Sequence, residues 1–168
     1  DKRLVSYFDY LYLGRLYEAD KKYNDAAQAF ENAIKKDTTK YTFYKQVSDA
    51  YESAGNYKAS VDAYEKFLKA QDPSQVREDD YVSFGKKLYS LGTSKDVDKA
   101  DQTDFLNKAL GVFDKAIQLD PNDYRGYFYK GHTGVALDPN YSNIENANNY
   151  IKVVEIAKAK NDPRYNQV

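Results

Sequence analysis

Residues 7–40 read YFDYLYLGRLYEADKKYNDAAQAFENAIKKDTTK, and the rest of the chain repeats this stretch with variations. In its first half Tyr7, Tyr10, Leu13, Leu16 and Tyr17 recur at three- and four-residue steps, which is one face of a helix and not the alternation of a strand. In its second half Ala26, Ala29, Phe30, Ala33 and Ile34 do the same. A polar turn, Lys22 to Asp25, separates the two. The pattern predicts helices over 4–19 and 24–36, with Asn24 or Asp25 accepting a free backbone N–H to cap the second. Gly14 and Ala26 lack bulk, so the two backbones are expected to approach closely there while Tyr17 and Phe30 fill the surrounding space. Tyr10 returns as Tyr44, Tyr17 as Tyr51 and Phe30 as Tyr64, each 34 residues on. A fixed period in a helical sequence marks a repeat array, in which each unit buries only part of its apolar face alone and stacking buries the rest.

The third occurrence opens near Gln75 with Tyr81, Phe84-Gly85 and Leu88, and closes with Ala109, Phe113, Ala116 and Asp120-Pro121. Leu88 and Ala109 are 21 residues apart, against 9 for Tyr17 and Ala26, so 12 additional residues fall here. They are polar and are expected to form an inserted loop over residues 93–102. The fourth occurrence keeps Tyr127 and Gly131, but Lys130 stands where Leu13 stood and Gly134 where Tyr17 stood. In its second helix Ile144, Ala147, Ile151 and Val154 are expected to face inward, with Glu145, Asn148, Asn149, Lys152 and Glu155 toward water. Asp162-Pro163 is expected to end that helix near Lys160.

These residues resemble the tetratricopeptide repeat, whose pattern is W-x2-L-G-x2-Y, then A-x3-F, then P. The first unit matches it as Tyr10, Leu13-Gly14, Tyr17 and Ala26-x3-Phe30, with Thr38 where Pro is usual. The second reads Tyr44, Val47-Ser48, Tyr51 and Ser60-x3-Tyr64, with Pro73 one residue late. The resemblance implies an all-α fold, a right-handed α-solenoid of about four helix–turn–helix hairpins. It implies one domain over residues 1–168, with repeats at about 4–40, 41–74, 75–122 and 123–160 and a tail at 161–168.

Composition narrows the function classes. Among 168 residues the net charge is −1, with no basic excess to grip phosphates. There is no cysteine, so disulfides and thiolate metal sites are excluded, and the lone His132 excludes multi-histidine sites. The sequence has neither a G-x-S-x-G elbow nor a phosphate-cradling glycine motif. The acidic set Asp96, Asp98, Asp101 and Asp104 lacks the order and closing glutamate of an EF-hand loop. Glu78, Asp79 and Asp80 are expected in the first turn of a helix, where their charge meets the positive end of the helix dipole. No apolar run approaches the roughly 20 residues that span a bilayer. The chain is expected to be non-catalytic, with no cofactor and no metal.

In the tetratricopeptide family the first helix of each hairpin lines a concave face that receives peptides. Once Tyr10, Leu13 and Tyr17 face the second helix, periodicity turns Phe8, Leu11, Tyr12 and Arg15 of the first unit to that face. The second unit contributes Lys45, Gln46, Asp49 and Glu52, and the third Val82, Ser83, Lys86 and Tyr89. The fourth contributes Arg125, Phe128, Tyr129 and His132. Aromatic and arginine side chains dominate binding energies at interfaces. The expected function is a protein-interaction scaffold that binds a peptide or partner protein there, and neither nucleic acid nor a small-molecule substrate. The alternative is a structural or self-associating module of a larger cell-envelope protein. The Lys/Asn/Arg clamp for acidic chaperone C-termini is not spelled here, since Leu11 and Arg15 stand where the family has Lys and Asn. A chain that begins at Asp1 and has no methionine suggests a processed piece; Tyr-, Asn- and Lys-rich repeats of this kind resemble bacterial proteins, and a cysteine-free processed chain would suit the cell envelope.

Overall fold

A computed structural model describes residues 5–140 and 142–161. Those residues form eight α-helices and no strand: α1 (Tyr7–Ala19), α2 (Tyr23–Lys36), α3 (Tyr44–Ser53), α4 (Tyr57–Ala70), α5 (Glu78–Thr93), α6 (Lys99–Leu119), α7 (Tyr124–Leu137) and α8 (Ile144–Ala159). Consecutive helices pair as hairpins, α1 with α2, α3 with α4, α5 with α6 and α7 with α8. Within the unit that runs through Val76, α2 also packs on α3. Within the unit that begins at Arg77, α6 packs on α7 and α5 touches α7.

The start of α1 is set by Ser6. Its backbone N–H donates to the Asp9 carboxylate at 2.8 Å, and its hydroxyl oxygen accepts the Asp9 N–H at 3.4 Å. This reciprocal capping box begins the helix at Tyr7; Leu4, the expected start, lies outside the described residues. The second helix is not capped as expected. Lys22 is its N-cap and has no side-chain bond, while Asn24 and Asp25 lie inside the first turn. Lys21, at a φ of 59°, makes the reversal before it, so the backbone turns within three residues without a capping side chain. The second helices end on a repeated device. Asp37, Asp72 and Asp120 each accept a backbone N–H two residues on, from Thr39, Ser74 and Asn122, at 2.8–3.0 Å. Thr38, Pro73 and Pro121 all stand inside this turn, so the aspartate supplies the stop whether or not proline follows it.

What joins three of the four hairpins is a ring laid on bare backbone. A Cβ built on Gly14 would stand 2.4 Å from the Phe30 ring, and one on Gly85 2.3 Å from the Phe113 ring. A Cβ on Gly131 would stand 3.0 Å from Tyr150. Phe30 and Phe113 are fully buried. The close approach expected of Gly14 therefore serves Phe30, which comes from the second helix and occupies the room that glycine leaves. In the second hairpin the places of Gly14 and Ala26 are taken by Ser48 and Ser60, both fully buried, whose hydroxyls bond each other at 3.1 Å.

The expected loop over 93–102 is corrected. Only residues 94–98 leave the helices, and the other additional residues lengthen α5 and α6. The sequence there is polar on one side only: Leu91, Val97, Phe105 and Leu106 are buried, and Leu106 lies where a Cβ on Gly92 would be. Gln102 closes the connection, its amide donating to the Val97 carbonyl at 3.0 Å. The face expected of α8 is also corrected. Asn146, Asn149, Val153, Ile156 and Ala157 are buried, whereas Ile144, Ala147 and Ile151 are exposed and Val154 is half-buried. Aliphatic residues lie on both sides of this helix, so composition is ambiguous. The glycines of α7 settle the matter, because Tyr150 fits over Gly131 and Asn146 fits against Gly134. The expected stop at Asp162-Pro163 lies outside the described residues.

Two stability measurements follow from this packing. Gly14→Leu is expected to cost about 1–3 kcal/mol, because the Phe30 ring is enclosed and has no free path away; pairing it with Phe30→Ala should recover part of the loss in urea unfolding. Ser48→Ala alone should cost about 1 kcal/mol by stranding the Ser60 hydroxyl. Adding Ser60→Ala should cost much less than a second full increment, and strict additivity would contradict the buried pair.

Candidate protein-interaction site

The residues expected on the binding face come from the first helices of the hairpins, and the structure treats them unequally. On α1, Phe8 is 63% and Tyr12 68% exposed, and Leu11 is half-buried. Together with Asp9 and the exposed Arg15 they line a depression of about 380 Å³. Leu11 also packs at the edge of the core cluster built on Phe30 and Val47, which anchors the floor of this depression. On α3, Gln46 and Asp49 are exposed. Lys45 is turned to its own hairpin, with its ammonium 4.2 Å from the Phe67 ring centre and 5.9 Å from that of Tyr64, both on α4.

In the part of the chain that begins at Arg77 five of the expected residues converge. Lys86 and Tyr89 of α5 meet Phe128, Tyr129 and His132 of α7. The Phe128 and His132 rings are edge to face at 4.4 Å, Tyr89 and His132 are 6.4 Å apart, and Tyr150 of α8 closes on His132 at 5.5 Å. Tyr129 stacks on the buried Phe113 at 5.8 Å, and the Lys86 ammonium lies 5.3 Å from the Tyr129 ring centre. Phe128, Tyr129 and His132 are each half-buried, so one side of the group packs inward and the other meets solvent. Burial pushes the His132 imidazole below its ordinary value of 6.5. Val82, by contrast, is buried.

Arg125 is committed elsewhere. Its guanidinium holds Asp123 through both Nε and Nη2, Asp79 at 2.6 Å and Glu78 at 3.4 Å. The bonds to Asp123 raise its pKa above the ordinary arginine range, against a smaller opposing effect of burial. Glu78 and Asp79 stand in the first turn of α5 as expected, and Asp123 is the N-cap of α7, accepting the Arg125 N–H at 2.8 Å. One arginine thus ties the starts of two first helices together. Sequence reading took it for a groove cation. The sign that it was not is the acidic run at 78–80, one helix pair before an Asp-x-Arg start.

Lys130, which breaks the leucine position of the pattern, is also a tie. Its ammonium is 2.8 Å from Asp114 of α6 and 3.6 Å from Glu145 of α8. Burial works against its charge, but the bond and charge of Asp114, joined by Glu145, outweigh burial and raise its pKa. Among the described residues no group of histidine, cysteine, aspartate or glutamate could hold a metal ion.

No protein-family model matches the chain, and no curated protein matches it in sequence. Solved structures do match it. The C-terminal part of a TPR repeat-containing protein from Cytophaga hutchinsonii is 21% identical, with a TM-score of 0.69 over 95% of this chain and 56% of that one. This chain therefore spans little more than half of that structure. A MamA protein is 21% identical, with a TM-score of 0.63 over 94% of this chain and 76% of that one. Likeness at this identity is likeness of fold.

His132 offers a direct check of the aromatic group. It is the sole histidine, so its ring-proton NMR signal can be followed without assignment. The midpoint is expected below 6.5. Because the folded form disfavours the charged ring, the corresponding stability is complete above the unfolded value and is lost as pH falls through about 6.5 and below. A midpoint at or above 6.5 would contradict the burial. The paired helices and the solved structures that match them agree: the chain has the fold of tetratricopeptide-repeat proteins.

Proposed function

We propose that the chain is a non-catalytic scaffold that binds a protein or peptide through the exposed side of its first helices. The observation that carries this reading is the gathering of Lys86, Tyr89, Phe128, Tyr129 and His132 into a half-exposed group. Aromatic rings that are already packed on one side lose little conformational freedom when a ligand covers the other, so they make efficient anchors. A second such surface lies on α1, where Phe8, Leu11, Tyr12 and Arg15 line an open depression. Gln46 and Asp49, exposed on α3, add polar contacts beside it.

The chemistry of these surfaces describes the ligand. Rings and aliphatic carbon recognise apolar side chains, while Arg15 and Lys86 favour acidic ones. Arg125 and Lys45 contribute less, since carboxylates hold the first and the α4 rings hold the second. The ligand is therefore an extended segment carrying apolar and acidic residues. The near-neutral net charge gives no general attraction for nucleic acid.

Panning a random peptide library on the immobilised chain tests this. Enriched peptides should combine apolar and acidic positions. Phe128→Ala and Arg15→Glu with Lys86→Glu should each weaken their binding at least about tenfold, with the urea midpoint of the charge variant unchanged. If neither changes the affinity of any enriched peptide, the first-helix faces are not the site.

A further inference from the structure

The aromatic group of the proposed site straddles a seam. Lys86 and Tyr89 come from α5, and Phe128, Tyr129 and His132 from α7, so its shape depends on how far apart the two helices stand. We propose that Arg125 is a positioning residue for this site: by holding Glu78 and Asp79 it sets the gap between α5 and α7, and with it the width of the face a ligand meets, a role that rests on the reading of that face as the binding site.

The spacing of residues puts the tie and the site on one line. On α5, Asp79, Val82, Lys86 and Tyr89 follow at steps of three and four, and on α7 so do Arg125, Phe128 and His132. Arg125 stands at the head of this seam, with its guanidinium 2.6 Å from Asp79 and 3.4 Å from Glu78. Further along, the Lys86 ammonium lies 5.3 Å from the Tyr129 ring centre, and beyond it Tyr89 meets His132 at 6.4 Å. Lys86 and Tyr89 are roughly 10 and 15 Å along α5 from Asp79, at 1.5 Å per residue.

Both ends of the tie are prepared for it. On α7 the Asp123 carboxylate takes the Arg125 Nε at 2.7 Å and also Nη2, which aims Nη1 at Asp79. Gly126, the next residue, seats Ile117 of α6 and so anchors this turn. On α5 the third acid of the first turn, Asp80, is buried and accepts the Arg77 N–H at 3.4 Å, while Glu78 and Asp79 turn to the guanidinium. The close seats of α5 on α6 lie further along, Phe113 at Gly85 and Leu106 at Gly92. The first turn of α5 is therefore the end that Arg125 holds. A planar guanidinium can bond carboxylates from two helices at once, which a lysine does poorly. Without it, carboxylates from both helix starts would face each other across the seam, and their repulsion would open it.

Glu78→Gln with Asp79→Asn in the whole chain is the sharpest test, because it removes the tie and leaves Arg125 in place. His132 reports on the seam in the free protein. Loss of two negative charges alone would lower its midpoint, whereas an opened seam exposes the ring and should move the midpoint up toward 6.5. Peptides whose binding depends on Phe128 should bind this variant at least about fivefold more weakly. Arg125→Gln should weaken them at least as much, and Arg125→Lys less. Circular dichroism should show all three variants folded. A role in stability alone would lower the urea midpoint and leave the His132 midpoint of the folded chain where it was. A His132 midpoint that falls or stays in the carboxylate variant overturns the proposal. So does tighter binding of acidic peptides by that variant, which would mean that Arg125, once released, grips the ligand itself. Should Phe128→Ala leave every enriched peptide unaffected, the binding reading fails, and the His132 midpoint still decides whether the tie sets the seam.

Discussion

The structure depends on aromatic rings seated where the facing helix has no side chain. A helix pair packed through ordinary side chains keeps its axes roughly 8–10 Å apart. Removing the Cβ at Gly14, Gly85 and Gly131 lets a ring from the second helix rest on the backbone of the first. The ring is then enclosed, as Phe30 and Phe113 are, and its burial contributes about 1.5–3 kcal/mol without any polar group to satisfy. The contact also fixes the rotation of both helices. Once Phe30 is over Gly14, the sides that face the next hairpin and the solvent are determined by the helical repeat alone. That is why the same register recurs in α2, α6 and α8 although their other residues differ.

The second and fourth hairpins show how far this rule bends. Ser48 and Ser60 put two hydroxyls at the crossing in place of Gly14 and Ala26, and they are tolerated because they satisfy each other. In the fourth hairpin Lys130 replaces an aliphatic residue at a contact between hairpins. A lone half-buried ammonium would be costly, and here Asp114 and Glu145 reach it from the helices on either side. Polar residues at these places make the pairing specific where the apolar pattern alone has weakened.

The hairpins and their period were legible because glycine, alanine and aromatic residues at fixed steps have few alternatives: Tyr10, Gly14, Tyr17, Ala26 and Phe30 can share a face in only one way. Three features were hidden for physical reasons. The buried face of α8 was misread because Ile144 and Ile151 look like core, while the side that packs on α7 uses Asn146 and Asn149. Hydrophobicity marks what prefers burial, not which neighbour is there to cover it. The length of α5 and α6 was hidden because polar residues on one side of a helix look like a loop when the apolar ones are sparse. The fate of Arg125 was hidden because its carboxylates, Glu78 and Asp79, are remote in sequence and brought near only by the pairing of α5 with α7. The aromatic residues at 128, 129 and 132 were found because three-residue and four-residue steps put them on one side of α7 whatever its partners do.

Each hairpin has three kinds of surface, and the sequence spends different residues on each. The inner crossing takes rings on glycines, or in the second hairpin the serine pair, the contact between hairpins takes aliphatic residues or matched charges, and the remaining face meets solvent. Successive residues are about 100° apart around a helix, so neighbours in sequence serve different surfaces. On α1, Tyr12 stands one helical turn from both Phe8 and Leu16 and is 68% exposed, so the solvent face of that helix is aromatic and aliphatic where α2, on the other side of the same hairpin, buries Phe30 and Ile34.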